Sequence, residues 1–178
     1  MQAFVVYESM FGNTRAIADA IGAGLADAFD VAVVPVAQAD AARIRDADLI
    51  VVGGPTHVHS MSRASTRKGA AKQAAGEGRG LTLEPGALQE GVREWLTSLG
   101  AARGPGMAAA FDTRLQGPVA FTGRASKGIS HALRRRGYEL IAEPESFVVT
   151  KENELCAGEQ DRARGWGAAL TRSLSLAG

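Results

Sequence analysis

Two features of the sequence predict an α/β fold built on a doubly wound parallel sheet. Short apolar runs alternate with segments of helical period. One of those runs, Leu49 to Gly54, is apolar without alternation, as a central strand covered on both faces requires. No internal repeat or compositional break divides the chain, so one domain over residues 1–178 is expected. The chain has 178 residues, 46% hydrophobic and 22% charged, the balance of one ordinary soluble domain. A chain of this length buries roughly two-thirds of its extended surface, so the core needs neither a metal nor disulfides. Collagenous, disordered and disulfide-framework classes are thereby excluded.

The first strand is Ala3 to Tyr7. After a Gly/Asn loop, Ile17, Ile21, Leu25 and Phe29 recur four apart and mark the first helix. The second strand, Val31 to Val36, contains Pro35, which cannot donate to a ladder and so places it at a sheet edge. Ala41 to Asp46 makes a short helix, and the central third strand ends at Pro55. From His57 to Gly86 the period disappears, leaving a basic loop over about 57–86 that is long enough to be functional or mobile.

Helical period returns at Leu88, Val92, Trp95, Leu96 and Leu99, and Met107 to Phe111 form a fourth strand ending at Asp112. Ala125, Ile129, Ala132 and Leu133 form the next helix face, with Gly137 as its C-terminal cap. Phe147 to Val149 is the fifth strand, and Ala163, Trp166, Gly167, Leu170 and Leu174 line the last helix. Trp95 and Trp166 are expected in the core, and Gly22 and Gly24 are expected to allow close helix–sheet packing. A ligand site belongs at the C-terminal strand ends, near the switch in strand order.

Charge and cysteine content narrow the function. Lys and Arg number 20 against 19 Asp and Glu, a net +1 that argues against a dedicated nucleic-acid binder. Cys156 is alone and forms no internal disulfide. No tract approaches the ~18 apolar residues of a membrane span, and the first apolar run is too short for a signal-peptide core. A cytoplasmic protein is expected.

The segment Ser9-Met10-Phe11-Gly12-Asn13-Thr14, between the first strand and the first helix, supplies hydroxyls, a Gly and backbone N–H groups at a helix start. These hold a phosphate without a metal, because the helix dipole and the converging donors neutralise it. The loop has no Lys and the chain has no G-x-x-x-x-G-K-[ST] pattern, which disfavours a nucleoside triphosphate with Mg²⁺. The alternative is that Asn13 or Thr14 caps the helix. His57 and His59 find only His131 and Cys156 as further ligands, so a metal site is not expected. Ser65 to Lys68 matches S-x-x-K without its companion motifs.

Ser9, Gly12, Asn13 and Thr14 resemble, in order, the phosphate-binding loop of flavodoxins, the small carriers of flavin mononucleotide (FMN). Gly53-Gly54-Pro55-Thr56-His57 is similar to the family's turn from the third strand into the loop beside the isoalloxazine ring. Phe111-Asp112-Thr113-Arg114 is similar to the loop on the ring's other side, and Ser146 to Trp166 resembles the last strand and helix. The resemblance implies strand order 2-1-3-4-5 and one non-covalent FMN. Ser9, Met10, Phe11, Gly12, Asn13 and Thr14 would hold the phosphate. Pro55, Thr56, His57 and Val58 would lie on one side of the ring, and Asp112, Thr113 and Arg114 with Gly117 on the other. An electron carrier needs no general acid, base or nucleophile, so no catalytic residue is assigned. A response-regulator receiver would need clustered acids after the first strand and an Asp ending the third. Here stand only Glu8 and Gly53-Gly54.

The departures from the family are also informative. Where many flavodoxins stack Trp and Tyr on the ring, this chain has His57 or Val58 and Thr113 or Arg114, so stacking is weak or absent. Where family carriers are acidic around the flavin, the loop after His57 carries Arg63, Arg67, Lys68, Lys72 and Arg79 against only Glu77. A later helix adds Lys127, Arg134, Arg135 and Arg136. These cations are either a solvated face or a docking surface for an acidic redox partner. Arg114, and His57 if protonated, would favour the anionic reduced flavin. Two alternatives to a carrier stay open: an FMN-dependent NAD(P)H:quinone-type oxidoreductase, and a fold that has lost flavin and serves as a binding module.

Overall fold

The computed structural model describes residues 1–76, 81–104 and 106–175, apart from the side chains of 73 and 173–175. In chain order its elements are β1 (Gln2–Tyr7), α1 (Asn13–Leu25), β2 (Asp30–Pro35), a single 3₁₀ turn (Val36–Gln38), α2 (Ala41–Ile44), β3 (Leu49–His57), β4 (Ser60–Met61) and α3 (Ala64–Ala74). Then follow α4 (Val92–Ser98), β5 (Met107–Leu115), α5 (Val119–Thr122), α6 (Ala125–Arg134), β6 (Glu139–Leu140), β7 (Glu145–Val149) and α7 (Glu159–Ser175).

The sheet runs β2-β1-β3-β5, with β6 and β7 both on the far side of β5 and all these pairings parallel. β6 pairs with the start of β5 and β7 with its end. The expected fifth strand is β7, and the unpredicted β6 occupies the same sheet position ahead of Pro144, so the order 2-1-3-4-5 holds. β2, with Pro35, is the edge strand.

Successive residues of β1 point to opposite faces, and both faces are covered. Phe4 and Val6 join Ile50, Val52, Ala108 and Ala110 under Trp95, Leu96, Ile129 and Leu133 of α4 and α6. Ala3 and Val5 join Leu49, Val51, Ala109 and Phe111 under Ile17, Ile21 and Leu25 of α1 and Leu170 of α7. A strand buried on both sides has no reason to alternate, which is the pattern of its sequence. Trp166 packs edge-on to Phe147 at the border of this second layer. Gly22 does permit helix–sheet packing, since a Cβ there would lie 2.6 Å from Val33 Cγ2. Gly24 serves a helix–helix contact instead. A Cβ there would lie 2.1 Å from the Arg164 carbonyl of α7, and one at Gly167 would lie 2.4 Å from the Ile21 carbonyl of α1.

Several boundaries differ from the sequence reading. β3 continues through Pro55 to His57. Pairing to β1 stops at Gly53, while Pro55 still aligns with Thr113 of β5, so the missing N–H falls where one side of the strand is already free. β5 likewise runs on to Leu115. The segment 57–86 is not a simple loop. It turns back at Val58 and His59, adds the antiparallel β4 to β3, and continues into the helix α3. Leu88 is exposed and precedes α4, which begins at Val92. Glu77 and Arg79 lie outside the described residues, as does the side chain of Leu174. Among the described residues no helix is long and apolar enough to cross a membrane.

Candidate functional site

The C-terminal ends of β1, β3 and β5 open into a pocket of 120 Å³, closed on its fourth side by the turn after β7. It is lined by Ser9, Met10, Phe11, Asn13 and Thr14 of the first loop, Pro55, Thr56 and His57 of β3, and Thr113 and Arg114 of β5. Leu115, Val149 and Asn153 complete it.

The first loop turns into α1 at Gly12, whose φ of 95° is a left-handed conformation that only glycine adopts without strain. The Gly12 N–H donates to Ser9 Oγ at 3.1 Å, which fixes the loop. α1 then starts with no side-chain cap. The capping alternative therefore fails, because both candidate caps are engaged elsewhere. Asn13 Nδ2 donates to the Asn153 carbonyl at 2.8 Å, and Thr14 Oγ1 shares a hydrogen bond with Thr113 Oγ1 at 2.7 Å. Both bonds tie the first loop to the far walls of the pocket. The first turn of α1 has no acidic residue and carries Arg15, a charge at odds with the helix dipole that an anion at the same end would offset. Arg15 in turn pairs with Glu84 at 3.5 Å.

On the β3 wall, Thr56 Oγ1 accepts from the Ala125 N–H at 2.9 Å and so caps α6. His57 is pushed down from the ordinary histidine range by burial and by the nearby Arg67 charge. It is held neutral at neutral pH, so the positive charge considered for it is not available.

The β5 wall divides by side-chain direction. Thr113 faces the pocket, whereas Asp112 is fully buried on the opposite face, where its Oδ2 accepts from the Ser126 N–H at 2.7 Å at the start of α6. Burial raises the Asp112 carboxyl, with the Ser126 hydrogen bonds and Arg124 opposing. Asp112 is therefore a helix-start anchor and does not line the pocket. Arg114 Nη1 donates to the carbonyls of Leu115 (3.2 Å) and Gly117 (2.9 Å) and to Thr122 Oγ1 (3.0 Å), holding the following loop. Its Nε is buried without a partner among the described residues. Gly117 serves that loop, and Val58 projects into solvent at 78% exposure, so neither lines the pocket.

Leu115, Val149 and Asn153 were missed in the sequence. Asn153 had a usable signal, being a turn residue after a predicted strand, and it adopts a left-handed φ of 66°. The larger surprise lies behind the β3 wall. Glu8 is buried, its Oε1 accepting from the Ser62 hydroxyl and its Oε2 from the Val92 N–H at 2.9 Å. Arg67 Nη1 donates to Ser62 Oγ at 2.8 Å and reaches Glu94 Oε2 at 3.3 Å. Arg67 is only 3% exposed, so it cannot belong to the basic docking surface expected of it. It joins α3 to β1, β4 and α4. Gly91 leaves it room, since a Cβ there would lie 2.4 Å from Arg67 Nη1. Burial raises the Glu8 carboxyl, opposed by Ser62, Val92 and Arg67.

A second cleft, of 180 Å³, adjoins the pocket on the β2 side of β1. Its lining includes Glu84 and Glu90 with the single cation Arg15, which is unsuited to a phosphate. Among the described residues no group of three His, Cys, Asp or Glu side chains is placed to hold a metal ion.

Comparison with known proteins identifies the fold. Residues 4–67, which contain the first loop and the β3 wall, match the family model of the flavodoxin domain. The chain has a flavodoxin-like fold. Its structure is similar to a flavodoxin from the domain Archaea, at 20% identity, with 98% of this chain and 99% of that chain covered and a TM-score of 0.64. It is equally similar to oxidised Flavodoxin 1 from Bacillus cereus, at 19% identity, with 97% and 98% covered and a TM-score of 0.64. A flavodiiron core from Synechocystis contains the same fold within a longer chain, at 14% identity, 100% of this chain against 37% of that one and a TM-score of 0.61. At these identities the structures establish the flavodoxin-like fold. No curated protein sequence matches the chain.

Proposed function

We propose that this domain binds FMN without a covalent bond and carries electrons between redox proteins of the cytoplasm. The observation that supports this best is the uncapped, acid-free start of α1, opening into a pocket at the point where strand order reverses. The donor set fits a phosphate monoester: free first-turn N–H groups, the Ser9 hydroxyl, which accepts from Gly12 and keeps its own proton, the second N–H of the Asn13 amide, the Thr14 hydroxyl with Thr113 donating to it, and no Lys. The buried Arg114 Nε, lacking an acceptor, fits a ligand carbonyl in the same pocket.

In this reading Ser9 and Gly12 hold the loop, the α1 N–H groups with Asn13 and Thr14 take the phosphate, and Thr113 fixes Thr14 across the pocket. A cavity of 120 Å³ takes a phosphate and part of a polyol chain but not a tricyclic ring. The ring therefore sits at the mouth, against Pro55 to His57 and Thr113 to Leu115. Phe11 is the aromatic side chain that lines the pocket. The flavin supplies the electron chemistry, and the protein supplies binding and electrostatics. Arg114 is the fixed positive charge beside the site, and it favours the reduced, anionic flavin.

The test is an absorbance spectrum of the purified protein before and after adding FMN, followed by stepwise reduction. Bound flavin that takes its electrons in two separate steps supports the carrier. Steady oxidation of NAD(P)H by the protein alone would assign the reductase activity instead, and absence of binding at micromolar FMN would leave a flavodoxin-like fold with another task.

A further inference from the structure

We propose that the rim of the pocket is a docking face for an acidic redox protein, with Val58 and Phe121 at its apolar centre and Arg63, Lys68, Lys72 and Lys127 as its cationic border. The inference deepens the electron-carrier reading and rests on it.

The apolar centre comes from two segments that continue the pocket walls. Val58 follows His57 directly and is 78% exposed. Phe121, on the short helix after β5, is also 78% exposed, with Leu115 at 52% and Val119 at 41% beside it in sequence. α5 buries none of its residues, so it is not there to fill the core. It is nevertheless held firmly, by Thr122 Oγ1 accepting from Arg114 and by the Gly123 N–H donating to the Val119 carbonyl at 2.8 Å.

The two segments touch. His59 and Gly123 form a bridge, and a Cβ on Gly123 would lie 2.2 Å from His59 Cα. The turn itself is unusual. Val58 and His59 have φ of 46° and 69°, a left-handed conformation that disfavours a β-branched residue. A turn needed only to close the hairpin would place Gly or Asn there. This chain keeps an exposed valine in a strained backbone, one residue from the bridge to the segment that carries an exposed phenylalanine, at the mouth of the site.

The border is basic by construction. Lys68 and Lys72 are four residues apart on α3, which contains no acidic residue, and both are exposed. Arg63 precedes that helix, while Arg67 of the same helix is turned inward. Lys127 is exposed on α6 next to Gly128, where a Cβ would lie 3.2 Å from Met61 of β4, so its helix borders the hairpin. Among the described residues none of these four cations has an ion-pair partner. Their charge disfavours a second copy of this chain and favours an acidic partner.

Size points to a transient complex. A handful of exposed apolar side chains with a charged border has the scale of the small interfaces used by electron-transfer pairs, under about 1,200 Å² in total. Charge of one sign then sets the encounter rate and its salt dependence.

The experiment uses FMN-loaded, ¹⁵N-labelled protein titrated with one c-type cytochrome in two forms, its native basic form and an acidic form made by succinylating its lysines. The expected result is amide shifts at 57–63, 68–72 and 119–123 with the acidic form, lost at high salt and absent with the basic form. Lys68→Glu with Lys72→Glu should weaken that association about tenfold. Phe121→Ser should weaken it while keeping its salt dependence. Neither variant touches the pocket lining, and an unchanged flavin spectrum checks this.

Stronger association with the basic cytochrome, shifts on another face, or unchanged affinity in both variants would overturn the proposal. So would shifts at these residues with vesicles of phosphatidylglycerol and none with either cytochrome, which would assign the face to a membrane surface. If the protein fails to load FMN, the carrier reading falls, and the same titration on flavin-free protein still decides whether the face takes an acidic protein.

Discussion

Replacing Arg67 by Met tests whether this residue belongs to the architecture of the site, because the change keeps much of the side-chain volume and removes the buried charge together with its hydrogen bonds to Ser62 and Glu94. In the native chain Arg67 is 3% exposed and donates to Ser62, which donates to Glu8 at 4% exposure. Removing one partner of a buried ionic network costs about 3–5 kcal/mol, because the other charge is left uncompensated. Glu8 keeps its hydrogen bonds from Ser62 and Val92, so the lower figure, about 3 kcal/mol at neutral pH, applies. For a domain of this size that corresponds to a fall in Tm of about 6–12 °C. The loss should also depend on pH. Glu8 already binds its proton more tightly in the folded state than in the unfolded one, and without Arg67 it should do so more strongly. A carboxyl raised in this way penalises folding above its folded pKa, and the penalty vanishes as pH falls below its unfolded value. The difference between Arg67→Met and the parent chain should therefore shrink from pH 7.5 toward pH 4.5. Thermal unfolding followed by circular dichroism across that range is the assay. A loss below about 1 kcal/mol, the range of an exposed ion pair, would return Arg67 to the surface and refute the reasoning.

Gly53→Ala places a methyl group 2.2 Å from the Phe111 ring in a fully covered strand, so a loss of about 1–3 kcal/mol is expected in urea unfolding. Thr14→Val removes one half of the Thr14–Thr113 hydrogen bond and should cost about 1–2 kcal/mol of stability while weakening FMN binding, read by calorimetry and flavin fluorescence. Arg114→Gln should lower the potential of the second electron, and a redox titration showing no shift or a rise would remove Arg114 from the account.

The sequence made the layered fold legible because its signals were redundant. Leu49 to Gly54 is apolar throughout, and both layers of the core indeed meet it. Ile17, Ile21 and Leu25 marked one buried face of α1. α3 was illegible for a physical reason: Ala64 to Ala74 contains no large apolar residue, and among its described side chains the buried one is Arg67. Its burial depends on Glu8, Ser62 and Glu94, which lie far from it or on other elements, and no periodicity encodes such a network. The pocket was legible in part. The C-terminal ends of β1, β3 and β5 converge there, but Asp112 and Thr113 are adjacent in a strand and must face opposite ways. Reading that alternation through Asp112 requires knowing that β5 continues to Leu115.

The most direct test compares FMN with riboflavin as ligands of the flavin-free protein, by fluorescence titration in the absence of divalent metal. The two differ by the phosphate alone. If the uncapped start of α1 is a metal-free phosphate site, FMN binds in the micromolar range or tighter and riboflavin binds at least about a hundredfold more weakly, since a charge-assisted set of hydrogen bonds is lost. Equal affinity for both, or no quenching of either, would contradict the account.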